Sequence, residues 1–190
     1  MALLTIAKRK KYFKDLKLGE YNEANIKKFQ KKYFIRTKDI DGVYGKNTDI
    51  LLRHVWNCNL VKNFEPSEFK CDCGGKYCTG YPTRMRAITL QFLQKIRDTY
   101  NKPVIVTSGL RCKKQNNVTS GSISNSKHLY GVAVDYAIIG VTDKIQGRKD
   151  LINLIKNWDH HDYSYCNGYD SSDKNRIAIN LGNAIHTQTN

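Results

Sequence analysis

A carboxylate set inside an apolar run limits this chain more than any other feature. Gly131-Val132-Ala133-Val134-Asp135-Tyr136-Ala137-Ile138-Ile139 reads as a buried β-strand rich in β-branched residues. An ionised Asp135 within such a strand costs several kcal/mol unless it is paired or bound to a cation. His128 stands seven residues upstream, across Gly131, and His186 lies near the other end of the chain. Two neutral imidazoles and one carboxylate are a ligand set for catalytic zinc, which keeps a fourth position open for water. On a strand, Asp135 shares its face with Ala133 and Ala137, whose small side chains leave room for a metal. Asn183-Ala184-Ile185-His186 reads as a second short strand able to supply the third ligand. Taken singly, a histidine beside a strand is commonly a satisfied structural residue, so the weight rests on the ordered set.

The stretch Ser126-Lys127-His128-Leu129-Tyr130-Gly131-Val132-Ala133-Val134-Asp135 resembles the S-x-H-x-x-G-x-A-x-D pattern of the zinc D-Ala-D-Ala carboxypeptidase family, which includes endopeptidases that cut peptidoglycan stems. Upstream, Val104-Ile105-Val106-Thr107-Ser108-Gly109-Leu110-Arg111-Cys112 is similar to that family's strand and Ser-Gly-x-Arg turn, and Asn116 and Ser124-Asn125 continue the likeness. It covers residues 63–190 and implies Zn²⁺ held by His128, Asp135 and His186. It also implies that Arg111 binds substrate and polarises the scissile bond, and that Ser126 contacts a substrate carboxylate. A guanidinium closing an apolar strand suits the first role by itself, because its planar fork can hold a carboxylate with two hydrogen bonds.

Two departures stand out. Many members of that family carry an acid three residues before the last zinc histidine, as general base. Here the corresponding catalytic position is Asn183, which cannot take a proton. Where relatives continue His-x-Asp, this chain has His186-Thr187-Gln188, so an orienting partner for the imidazole would have to be the Gln188 amide oxygen. Asp170, Asp173, His160 and His161 are alternative acids or bases in the polar stretch ahead of the last strand. Asn183 and Gln188 also suit a non-catalytic wall-binding protein that kept the peptidase fold.

The front of the chain carries another pattern. Ile26, Phe29 and Tyr33 form a helical stripe; Asp41-Gly42-Val43-Tyr44-Gly45-Lys46-Asn47-Thr48 follows, then a second stripe of Leu51, Leu52, Val55 and Trp56. With a first helix over Thr5–Leu18, residues 1–60 resemble the small helical peptidoglycan-binding domain of cell-wall hydrolases. Asp41-Gly42 is expected to make the turn and Thr48 to cap the next helix. Asn57–Ser67 breaks both helical periods and reads as the linker to a peptidase domain over 63–190.

Cys71-Asp72-Cys73-Gly74-Gly75-Lys76-Tyr77-Cys78 places three thiols within eight residues, and Cys112 follows the Arg111 turn. Four such thiols suit a structural zinc, two disulfides or free cysteines, and the sequence leaves all three open. Cys58 and Cys166 read as unpaired.

After the linker, Met85, Ile88, Phe92, Leu93, Ile96 and Tyr100 mark a helix, and Leu151, Leu154, Ile155 and Trp158 mark another. Helix, strand, loop, strand, helix, strand predicts an α+β fold: a small antiparallel sheet with flanking helices, preceded by a three-helix domain. The net charge of +15, densest around Lys8-Arg9-Lys10-Lys11 and the lysine pairs at 27–28 and 31–32, suits an anionic wall polymer. Nucleic acid is a weaker reading, since lysines and cysteines leave the His/Asp/His set unexplained. Met-Ala-Leu-Leu-Thr-Ile-Ala before Lys8-Arg9 lacks the order of a secretory signal, and no apolar run reaches membrane-spanning length. The expectation is a monomer made without a signal peptide. Its target is bacterial peptidoglycan, reached by phage-type release or secretion.

Overall fold

A computed structural model describes residues 2–170 and 181–190, and shows an α+β fold. Three helices come first: α1 (Ile6–Asp15), α2 (Glu23–Tyr33) and α3 (Lys46–Cys58). Thr5 caps α1 by accepting from the Lys8 amide at 3.3 Å, and Asn22 caps α2 by accepting from Asn25 at 2.9 Å. Between α2 and α3 the chain is organised by one buried side chain, Gln30. Its amide group donates to Asp41 Oδ1, the Val43 carbonyl and Thr48 Oγ1, while its oxygen accepts from the Asp41 and Gly42 amides. Gly42, at φ +80°, makes the expected turn. Thr48 corrects its expected role. It lies inside α3, where its hydroxyl donates to the Val43 carbonyl, and Gly45 occupies the cap position.

Among the described residues, the rest of the chain builds a five-stranded antiparallel sheet in the order β1-β2-β5-β3-β4, with β1 Val104–Ser108, β2 Ala133–Ile138, β3 His161–Cys166, β4 Tyr169–Asp170 and β5 Ile185–Thr189. Helices α4 (Ala87–Tyr100) and α6 (Ile145–Ile155) pack on one face, and the short α5 (Lys113–Val118) follows Cys112. That face carries Val134, Tyr136, Ile138 and Ile185 into a core with Leu90, Leu93, Ile96, Leu151 and Ile155. The same cluster of buried residues continues through Phe69 and Tyr81 to Leu52, Phe29 and Phe13 in the first three helices.

His54 on α3 sits at this junction. It is buried, its Nε2 donates to the Pro66 carbonyl at 3.0 Å, and its Nδ1 accepts from the Met85 amide at 3.2 Å. Asn57 adds a bond to the Met85 carbonyl at 2.8 Å. The strand β3 was not expected from its polar composition. Its alternation of Tyr163 and Tyr165 with buried Ser164 and Cys166 is nonetheless a two-sided strand pattern. No helix among the described residues is long and apolar enough to cross a membrane.

Candidate metal centre

One row of residues runs straight across the sheet. Ser108 pairs with Asp135, Asp135 with His186, His186 with Tyr165, and Tyr165 with Asp170. Residues directly opposite in neighbouring strands share a face, so strand pairing alone brings Asp135 beside His186. A register irregularity between Val106 and Ser108 ends β1 at this row and turns the chain toward Gly109 and Arg111.

His128 arrives from a short 3₁₀ turn, Lys127–Tyr130, closed by Gly131. Gly131 has φ +68°, and a Cβ there would lie 2.0 Å from the Arg84 carbonyl oxygen, so no larger residue fits. The imidazole is fixed by Nδ1, which donates to the Gly109 carbonyl at 2.7 Å. That bond leaves Nε2 aimed at the sheet. It lies 3.3 Å from His186 Nδ1 and 3.4 Å from Asp135 Oδ1, while His186 Nδ1 and Asp135 Oδ1 are 2.6 Å apart.

Three buried ligand atoms thus form a tight triangle. Tetrahedral zinc with bonds of about 2.05 Å would separate its ligands by about 3.3 Å, so two sides of the triangle already fit and the third needs a small opening. Burial pushes the Asp135 carboxyl up, but hydrogen bonds and charge from His128 and His186 outweigh it and hold the group ionised, well below the ordinary range. Burial likewise lowers His186, against the pull of Asp135, which favours the neutral, ligating imidazole. A donor set of two nitrogens and one oxygen suits zinc.

The triangle forms the floor of a cleft of about 380 Å³. Arg111, Ser126, Ser108, Asp72, Tyr163, Tyr165 and Gln188 line its walls. The Arg111 backbone is pinned by its amide, which donates to the His128 carbonyl at 3.2 Å, and its guanidinium donates to Ser108 Oγ at 3.4 Å. Tyr165 lies over the His186 ring with centroids 4.6 Å apart. Gln188 is placed where an orienting partner was sought, with its side-chain amide 3.0 Å from His186 Nε2. Turning that amide over would present its oxygen to an Nε2–H.

The structure therefore gathers His128, Asp135, His186, Arg111 and Ser126, but it does not gather the proposed acid–base residues. Asn183 is exposed in the turn before β5 and accepts from Arg148 Nη1 at 3.3 Å, away from the cleft lining. His161 bonds Ser164 Oγ at 2.9 Å and His160 lies in a left-handed turn at φ +66°, neither in the cleft lining. Asp170 is buried and accepts from the Tyr163 hydroxyl, one side chain removed from the cleft, and Asp173 lies outside the described residues. Asp72 and Ser108 were not singled out in the sequence. Among the described residues, Asp72 and Asp135 are the acidic side chains lining the cleft, and Asp72 Oδ2 accepts from Ser108 Oγ at 3.3 Å.

A second cluster adjoins the cleft rim. Cys71, Cys73, Cys78 and Cys112 each place a sulfur within 4.8 Å of the others. Hydrogen bonding from Cys78 draws the Cys71 thiol down to about 5, and the same bond pushes Cys78 up. Cys58 and Cys166 are buried and unpaired with each other or with this cluster.

A family model described as Peptidase M15 matches residues 62–176, and no curated protein matches the chain. The matched span contains His128, Asp135, Arg111 and all four clustered cysteines, and it stops before His186, which the sheet brings in. With more than half of its length matched, the chain belongs to the Peptidase M15 family of metallopeptidases.

Proposed function

We propose that this protein is a zinc metallopeptidase that hydrolyses a D-amino-acid-containing peptide bond in peptidoglycan stem peptides. The observation that carries this reading is the convergence of His128 Nε2, Asp135 Oδ1 and His186 Nδ1 at the floor of a cleft walled by Arg111. Zinc held there would supply Lewis-acid activation of water and of the scissile carbonyl. The chain's own residues do the rest. Gly109 holds His128 in its ligating orientation, and Gln188, with its amide turned over, would do the same for His186. Arg111 binds a substrate carboxylate or the developing oxyanion through its fork, and Ser126 adds a hydroxyl from the cleft wall. Tyr163 and Tyr165 offer ring faces and hydroxyls to the peptide. Asp72 stands at the rim as a carboxylate able to carry a proton once substrate narrows the cleft.

The helical segment is proposed to hold the enzyme on the wall. Its support is the basic surface together with half-buried Tyr12 stacked on half-buried Trp56, centroids 3.9 Å apart, with Lys11 alongside. Joining such a segment to a wall peptidase suits a phage or prophage lysis enzyme acting as a monomer.

Mass spectrometry of purified peptidoglycan digested with and without a chelator tests the reading. New stem-peptide termini that disappear with chelator, and return with zinc, are expected. No cleavage by metal-loaded protein, with retained pelleting on insoluble walls, would replace the enzyme with a non-catalytic wall-binding protein.

A further inference from the structure

The cysteine cluster is built in a way that the cleft chemistry does not require. Cys71, Cys73 and Cys78 sit on the loop between Phe69 and α4, and Cys112 caps α5. The loop is cinched at its neck, where the Cys71 amide donates to the Gly80 carbonyl at 2.7 Å. Its tip is a knuckle in which Gly74 and Gly75 take φ +58° and +85° and the Lys76 amide donates to the Cys73 carbonyl at 2.9 Å. Backbone amides point at the sulfurs: Cys112 N–H at Cys71 Sγ and Gln115 N–H at Cys112 Sγ, each at 3.4 Å. Amide dipoles aimed at sulfur stabilise a thiolate far more than a thiol or a disulfide.

We propose that Cys71, Cys73, Cys78 and Cys112 bind a structural zinc ion, distinct from the metal of the cleft. A tetrahedral tetrathiolate site with bonds of about 2.3 Å sets its sulfurs about 3.8 Å apart. The Cys73–Cys78 sulfur separation is 3.4 Å, and all four sulfurs lie within 4.8 Å of one another. Disulfide bonding would instead draw them into two separate pairs at about 2.05 Å, at the expense of an oxidant. Four protein ligands leave no open position, the mark of a structural rather than a catalytic ion. Soft thiolates select zinc over magnesium or calcium.

The ion would also close a ring at the cleft rim. Asp72, between two of its ligands, accepts from Ser108; Ser108 accepts from Arg111; and Arg111 is followed directly by the ligand Cys112. The same loop reaches the helical segment, where the Ile35 amide donates to the Thr79 carbonyl at 3.1 Å. One ion would therefore hold Asp72, Arg111 and the first three helices in a fixed relation.

The test uses the full chain carrying His128→Ala and His186→Ala, purified under reducing conditions. About one equivalent of zinc should remain and be released by a thiol-specific mercurial. Cobalt exchanged into the wild-type protein should give thiolate-to-cobalt charge-transfer bands in the near ultraviolet, lost in Cys73→Ser. The wild-type spectrum stands even if a variant fails to fold, because the cleft set holds nitrogen and oxygen but no sulfur. Cobalt binding without thiolate bands, or a zinc-free protein whose thiols are paired as disulfides, would overturn the proposal. Loss of hydrolysis with the thiolate bands intact would count against the peptidase reading and leave this site standing.

Discussion

The His128/Asp135/His186 centre and the Cys71/Cys73/Cys78/Cys112 cluster are neighbours built on opposite plans. The first takes two ligands from adjacent, hydrogen-bonded strands and one from a turn locked against a carbonyl, and it opens into a cleft. The second takes its ligands from a glycine-bent loop and a helix cap, and its four sulfurs face one another. Strand pairing gives three atoms a rigid frame with a side left free for substrate. A loop has no frame of its own, so its order has to come from what its side chains hold. Arg111 and Asp72 stand where the two plans meet.

Asp135→Asn should have the largest effect. It keeps the shape, removes the charge, and should lower stem-peptide turnover by at least a thousandfold, about 4 kcal/mol of transition-state stabilisation. Metal analysis should show the cleft ion lost and the cysteine-bound ion retained. Loss of both would show that the two sites are one cooperative unit, and the contrast would break.

Alanine at two glycines tests how each site is framed. At Gly131 the added methyl meets the Arg84 carbonyl oxygen at 2.0 Å, in a left-handed backbone at φ +68°. A loss of about 4 kcal/mol or more in denaturant unfolding is expected. Gly74 is also left-handed, at φ +58°, but opens on free space, so strain of about 1–2 kcal/mol is all that Gly74→Ala should cost. Equal losses would mean that the loop is as tightly framed as the sheet.

His54 supplies a third buried imidazole, with backbone partners on both nitrogens and no place for a metal. Burial lowers it to about 4, against the raising effect of the Pro66 carbonyl. Between that value and about 6.5 the unfolded chain binds a proton that the native chain refuses. Stability should therefore fall as pH drops through this window, by up to about 3 kcal/mol. Urea titrations at several pH values should show a flatter profile for His54→Asn. An unchanged profile would remove His54 as the source of the acid sensitivity.

Arg111→Lys is the gentlest test. Charge survives and the fork is lost, so turnover should fall about tenfold, or about 1.4 kcal/mol, with metal content unchanged. Turnover close to wild type would reduce Arg111 to a general positive field.

His128 and Asp135 were legible because their spacing spans one glycine-closed turn and the strand after it, a local geometry that sequence encodes. His186 was legible as a residue type, but its place depends on pairing with Asp135 across 51 positions, which composition cannot express. The acid–base residues were the least legible. Asn183 was aligned by counting back from His186, and the turn before β5 sends it to Arg148. Tyr163 and Tyr165 escaped notice because His161–Cys166 is polar enough to pass for a loop. Asp72 looked like filler between cysteines until the fold brought that loop against Ser108. The stripes of the helical front coincide with α2 and α3, and Phe29-Gln30-Lys31 belonged to the pattern read there, whereas the bonds by which Gln30 organises the turn show only in the fold.

The order β1-β2-β5-β3-β4 places β5, last of these strands in the chain, at the centre of the sheet. Until Ile185–Thr189 slots between β2 and β3, Asp135 has no His186 beside it, and Tyr163 and Tyr165 have no wall to complete. Closing pairs so distant in sequence is a slow step in folding, because the loop entropy is lost before the contacts are gained. The centre is therefore incomplete in any folding intermediate that lacks β5. A sheet closed by its central strand thus ties completion of the His128, Asp135 and His186 set to completion of the fold.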